Sequence, residues 1–192
     1  MLKLHVLIAS TRPARLGPAI GTWFFELARR HSGFEVELVD LADQNLPLLD
    51  EPNHPRLRKY TQQHTIEWSA KVEAADAFVF VTPEYNYSSP PSLLNALDYL
   101  YHEWSYKPVG FVSYGGPAGG ARSVQMTKLL VTAVRMMPLP EAVVITTFSQ
   151  HIKDGVFIPL ETHERSAAIM LDELLRWATA LKPLHEQKPR PS

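Results

Sequence analysis

Residues 2–18 read Leu2-Lys3-Leu4-His5-Val6-Leu7-Ile8-Ala9-Ser10-Thr11-Arg12-Pro13-Ala14-Arg15-Leu16-Gly17-Pro18. The first eight are an apolar run of strand length. The rest form a loop with two hydroxyls and two guanidinium groups, closed by a proline that suits a helix start, where a missing N–H costs nothing. A helical stripe follows at Ile20, Trp23, Phe24, Leu27 and Ala28, with Glu26, Arg29 and Arg30 opposite. The unit is therefore strand, polar loop, helix.

The same alternation continues along the chain. Further strand-length runs fall at 34–40, 77–82, 109–114 and 142–146. All but 34–40 are nearly continuous, as in strands covered by helices on both faces. Residues 34–40 alternate, with Phe34, Val36 and Leu38 against Glu35, Glu37 and Asp40, which places that strand at an edge. Helical patterns fit at about 57–75, 91–103 and 120–137, and a last stripe runs from Ala167 to Leu181. Five strands alternating with helices predict an α/β fold, a doubly wound three-layer sandwich around a five-stranded parallel sheet. In the strand order 2-1-3-4-5, ligands bind beyond the carboxyl ends of strands one, three and four, where the winding reverses.

Composition sets the outer limits. The chain has 192 residues, is 45% hydrophobic and 20% charged, and carries a formal net charge of -1. That suits one domain, taken as 1–182, followed by a proline-rich tail at 183–192. Nothing in the charge balance suggests nucleic acid or an anionic membrane. No run approaches the roughly 20 apolar residues of a membrane span, so a cytoplasmic protein is expected. The absence of cysteine excludes disulfides, thiolate metal sites and thiol nucleophiles. The eight histidines are scattered without ligand spacing, so no metal site is read from them. Residues 43–55, punctuated by Pro47, Pro52 and Pro55, form a longer connection than such folds need.

All three switch-point loops are unusual. After strand one, Ser10, Thr11, Arg12 and Arg15 precede a helix N-terminus, a combination that suits an anion, with phosphate the natural guest. Neither a dinucleotide Gly-x-Gly-x-x-Gly nor a P-loop signature occurs there. After strand three, Thr82-Pro83-Glu84-Tyr85-Asn86-Tyr87-Ser88-Ser89-Pro90-Pro91 joins aromatics, an amide and hydroxyls on a proline-stiffened loop, able to flank a flat heterocycle. After strand four, Ser113-Tyr114-Gly115-Gly116-Pro117-Ala118-Gly119-Gly120 packs four of the nine glycines into six positions. That density implies close backbone approach or positive φ at several of them.

On these residues the chain resembles the NADPH-dependent FMN reductase family of flavodoxin-like proteins, from about residue 3 to about 180. Members typically carry Gly-Ser-x-Arg-x-x-Ser after strand one, Pro-Glu-Tyr-Asn and then Asn-Ala after strand three, and a glycine-rich turn after strand four. Here the matching residues are Ala9-Ser10-Thr11-Arg12, Pro83-Glu84-Tyr85-Asn86, Asn95-Ala96, and Gly115-Gly116 with Gly119-Gly120. Ala9 replaces the usual Gly, Arg15 stands where a second Ser often sits, and Ser92 stands where Gly is common.

The resemblance implies bound FMN (flavin mononucleotide), with NADPH or NADH as electron donor and a small acceptor such as a free flavin, a quinone, an azo dye or a metal oxyanion. It implies that Ser10, Arg12, Arg15 and the backbone near Leu16 and Gly17 hold the phosphate. The loop Pro83, Glu84, Tyr85, Asn86 and Tyr87 would flank the isoalloxazine. The N–H groups of Gly115 and Gly116, with Ser113, would face its pyrimidine edge. No catalytic side chain is assigned, because the cofactor carries the chemistry. The competing class is a flavodoxin-type electron carrier without enzymatic turnover; near-neutral charge and Arg12 argue against it. Apolar residues on more than one face of 91–104 and 120–137, together with the family's habit, predict a homodimer or dimer of dimers through the helix after the Pro83–Tyr87 loop.

Overall fold

The computed structural model describes residues 1–187. Its sheet comprises β1 (Leu2–Ile8), β2 (Phe34–Asp40), β3 (Ala77–Pro83), β4 (Pro108–Tyr114) and β5 (Met137–Ile145). All pairings are parallel, in the order β2-β1-β3-β4-β5. The helices are α1 (Gly17–Ala28), α2 (Gln63–Ala74), α3 (Pro91–Asp98), α4 (Ala121–Ala133) and α5 (Glu161–Glu186). A short antiparallel pair, β6 (Ile152–Lys153) and β7 (Val156–Phe157), bridges β5 to α5. This is the expected flavodoxin-like sandwich.

The sheet divides the interior into two cores. On one face Leu4, Val6, Val79, Val81, Val112 and Tyr114 pack under α1 and α5. On the other, Leu7, Phe78, Phe80, Val109 and Phe111 pack under α2, α3 and α4. The two faces alternate along each strand because side chains of a strand have period two. β3 and β4 are buried along their whole length, as continuous apolar runs require.

Several boundaries differ from the sequence reading. β5 is longer than 142–146 and alternates in burial, with Val144 42% exposed. It is an edge strand, which is where Pro138 and Pro140 can stand, since their missing donors face no neighbour. The helix placed at 57–75 starts only at Gln63: Pro55–Leu57 form a single 3-10 turn, and Arg58 takes a left-handed conformation. The helix placed at 91–103 stops at Asp98, and the one placed at 120–137 covers only Ala121–Ala133. Tyr106 and Arg135, both at positive φ, redirect the chain into β4 and β5. The tail expected from Pro183 begins as helix, because α5 runs on through Pro183 to Glu186; residues 188–192 of that tail lie outside the described residues.

Most of the surplus apolar surface at 91–104 is consumed inside the chain. Leu93, Ala96, Leu97, Tyr99, Leu100 and Trp104 are all buried, Trp104 against Phe78 at 5.1 Å. What remains outward on α3 and α4 is Leu94, Met126 and Leu129. The 43–55 connection is tied down rather than loose. Asn95 Nδ2 donates to the Pro47 carbonyl at 2.6 Å, its Oδ1 accepts from Leu49 N–H at 3.0 Å, and Tyr99 Oη donates to Asp50 at 3.0 Å.

Candidate functional site

The carboxyl ends of β1, β3 and β4 open on one side of the sheet, and side chains stitch their loops together. Tyr114, the last residue of β4, donates from its hydroxyl to Ser10 Oγ in the loop after β1, 3.2 Å away. Ser92, in the first turn of α3, donates to the Ala9 carbonyl at 2.5 Å. Glu84, just past β3, ion-pairs with Arg122 in the first turn of α4 and also accepts from the Arg122 N–H at 3.2 Å.

The loop after β1 leads into a helix with an open N-terminus. Leu16 is the N-cap residue of α1 and offers no side-chain cap. The first amides of such a helix carry partial positive charge and unmet donor capacity. Ser10 is buried at the base of this turn and Arg12 is exposed above it. Among the described residues no ion pair or hydrogen bond engages the Arg12 guanidinium. Gly17 leaves room for the Ser10 and Tyr114 hydroxyls. A Cβ there would strike Ser10 Oγ and lie 2.7 Å from the Tyr114 hydroxyl.

Arg15 is placed differently from the sequence reading. Its guanidinium forks onto both Asp40 oxygens at 2.7 Å and also reaches the Ser10 carbonyl at 2.5 Å. A bidentate Arg–carboxylate pair fixes the plane of the guanidinium and commits the edge that carries it. Arg15 therefore braces the loop against the end of β2, with its charge already paired to Asp40.

The loop after β3 is a tight hairpin. Tyr85 and Ser88 exchange backbone hydrogen bonds at 3.0 Å, and the two residues between them, Asn86 and Tyr87, have φ of 51° and 70°. That is the two-residue turn with both central residues left-handed, a conformation natural for Asn and costly for Tyr. The Arg122 guanidinium lies 3.8 Å from the Tyr87 ring centroid, a cation–π contact that holds the strained residue. Glu84 is thus paired with Arg122, and the bond to Arg122 keeps its carboxyl below the usual carboxylate range. Pro83 is buried, Tyr85 half-buried, and Asn86 and Tyr87 stand exposed at the tip.

The turn after β4 is pinned to the end of β5. Gly115 N–H donates to the Ile145 carbonyl at 3.2 Å, so it is not offered to a ligand as the sequence reading had it. The carbonyls of Gly115 and Gly116 accept from Phe148 and Thr147. That leaves the Gly116 N–H without a partner among the described residues. The positive φ falls at Gly119 and Gly120, not at Gly115 or Gly116. Ser113 is fully buried, and its hydroxyl has no partner among the described residues. Its strand parity puts it on the same face of the sheet as Phe111, the α3–α4 side.

These residues suit FMN. An open helix N-terminus beside an unengaged arginine matches a dianionic phosphate. A Cβ added at Gly116 would meet nothing within 4 Å, so the turn leaves room beside a backbone N–H for a flat ring. Tyr114 and Arg122, which sequence reasoning left without roles, connect the three loops. Arg122 carries a sequence signal: a cation in the first turn of a helix opposes the helix dipole and calls for a compensating partner.

The fold is that of flavodoxin-like proteins, and its family and relatives make the chain an FMN-dependent oxidoreductase that uses NAD(P)H. The chain belongs to the NADPH-dependent FMN reductase family, whose family model matches residues 2–150. It is 43% identical over 159 residues to an NAD(P)H-dependent FMN reductase of Schizosaccharomyces pombe, covering 82% of this chain and 79% of that one. It is 34% identical over 149 residues to an NAD(P)H:quinone oxidoreductase of Solanum tuberosum, covering 73% and 74%. Among solved structures it is similar to a flavoenzyme NAD(P)H:(acceptor) oxidoreductase from Paracoccus denitrificans, with TM-score 0.71 and 22% identity over 94% of this chain and 99% of that one. None of these comparisons supports a flavodoxin-type carrier.

Proposed function

We propose that the crevice above β1, β3 and β4 holds FMN with its phosphate at the N-terminus of α1, and that the chain reduces a small acceptor at the expense of NADPH or NADH. The observation that carries this reading is the open N-terminus of α1 beside the unengaged Arg12. Bound FMN supplies two-electron chemistry between a reduced nicotinamide and the acceptor. The chain's part is to bind and orient. Ser10, Arg12 and the amides of Leu16 and Gly17 hold the phosphate, while Arg15 braces their loop through Asp40. The Tyr85–Ser88 hairpin flanks the ring and keeps water from its edge. The Gly116 N–H donates to the pyrimidine side, where negative charge develops on reduction, and a fixed donor there stabilises that charge.

The acceptor is proposed to be a quinone, a free flavin or a molecule of that size. The chain is further proposed to work as a cytoplasmic homodimer joined through Leu94, Met126 and Leu129, which stay exposed on adjacent α3 and α4. Among the described residues no helix is long and apolar enough to cross a membrane. The test is the visible spectrum of the purified protein. A flavin absorption band that bleaches on adding NADPH without oxygen, and returns on adding a quinone, is the expected outcome. A colourless protein that takes up no FMN contradicts the reading, and a flavin band that NADPH leaves unbleached argues for a carrier.

A further inference from the structure

The loop after β1 and the end of β4 share a pair of hydroxyls that the binding scheme above uses only in part. Ser10 Oγ and Tyr114 Oη are 3.2 Å apart and both side chains are buried. They lie against the first turn of α1, in the space a Gly17 side chain would occupy. The serine is fixed from two directions, because its carbonyl also accepts from Arg15, itself locked on Asp40. The Tyr114 ring is set by Phe148 at 5.4 Å.

A serine hydroxyl has one proton to give and lone pairs to accept with. Two hydroxyls in contact form a chain whose direction is open until something fixes it. A phenol is a better donor than an alcohol. Burial pushes the Tyr114 hydroxyl up to about 12, so it keeps its proton across the working range. An anion at the helix N-terminus draws the serine proton outward, and the tyrosine proton then fills the serine lone pair.

We propose that Tyr114 is a positioning residue for the FMN phosphate: by donating to Ser10 Oγ it commits the serine's only proton to the anion at the N-terminus of α1. This rests on the phosphate placement given above. Tyr114 touches no ligand in this scheme and acts through Ser10. It also explains why β4 ends in a tyrosine and why α1 starts with glycine, since each serves the same contact.

The test is a titration of the full-length chain, stripped of flavin, with FMN and with riboflavin. The variants are Tyr114→Phe, Ser10→Ala, the double variant and Arg12→Ala. Loss of one neutral hydrogen bond predicts about two- to tenfold weaker FMN binding by Tyr114→Phe, with riboflavin affinity unchanged. The double variant should bind FMN no more weakly than Ser10→Ala alone, because the tyrosine has nothing to act through once the hydroxyl is gone. Equal weakening of both flavins by Tyr114→Phe, or effects that multiply in the double variant, would overturn the proposal. If Arg12→Ala and Ser10→Ala discriminate between the flavins while Tyr114→Phe does not, only the role of Tyr114 fails. If none of the variants discriminates, the phosphate placement fails and this proposal fails with it.

Discussion

A methyl group added at Gly17 would land on the Ser10 and Tyr114 hydroxyls, whereas one added at Gly116 would meet nothing within 4 Å among the described residues. The two glycines are therefore small for different reasons, and substitution separates them. Gly17→Ala should destabilise the fold by about 1–3 kcal/mol through overpacking, read as a lower denaturant midpoint. Gly116→Val should leave the midpoint of the flavin-free protein nearly unchanged and still abolish FMN uptake. Full flavin occupancy in the Gly116 variant would make that turn merely a connection. The sequence shows that glycines crowd residues 115–120, but not which ones face a ligand. That depends on the bonds from Ile145, Thr147 and Phe148, which arrive from the far end of β5. The pairing of Arg15 was not legible for a similar reason. Its partner Asp40 ends β2, 25 residues away, and only the sheet register brings the two together.

At the scale of elements, the strands were legible because burial on both faces leaves apolar runs that local sequence displays. Helix ends were less legible. Residues 99–107 carry aromatics that read as helical stripe, yet Tyr99 and Trp104 are buried from an irregular segment that Tyr106 at φ 64° turns back into the sheet. The hairpin after β3 joins elements in a testable way. With Glu84, Arg122 and Tyr87 acting as one clamp, Arg122→Ala should speed hydrogen exchange at the Tyr85 and Ser88 amides; unchanged exchange would mean that the turn holds itself. Strand pairing also buries His5 between β1 and its neighbours, 3.2 Å from Glu37 and edge-on to Phe78. Desolvation lowers its pKa from 6.5 to about 4. The unfolded chain then binds a proton that the folded chain refuses. Stability is full above about pH 6.5 and falls as pH drops toward 4, at up to about 1.4 kcal/mol per unit from this group. Urea midpoints measured from pH 7.5 to 4 should fall in that window, and His5→Gln should flatten the fall. A slope the same in wild type and variant would remove His5 as its source.

For the whole molecule, the strand order and the position of the crevice follow from the alternation of strands and helices, because right-handed crossovers leave little choice of topology. Assembly is not readable in the same way. An apolar helix face serves a core or a partner equally well, and here most of the surplus went to the core around Trp104, leaving Leu94, Met126 and Leu129 outside. If these three form the dimer seam, light scattering of the holoprotein at micromolar concentration should give twice the chain mass of 21.7 kDa, and Leu129→Lys should halve it. A wild-type mass near that of one chain would contradict the seam. The central claim is narrower than assembly: the FMN phosphate sits at the open N-terminus of α1 under Arg12. Titration of the flavin-free wild type and Arg12→Ala with FMN and riboflavin tests it most directly. The account predicts that the variant weakens FMN by roughly 1.5–3 kcal/mol, the range for a hydrogen bond to a charged group, and leaves riboflavin unchanged. Unchanged FMN affinity, or equal weakening of both flavins, would contradict it.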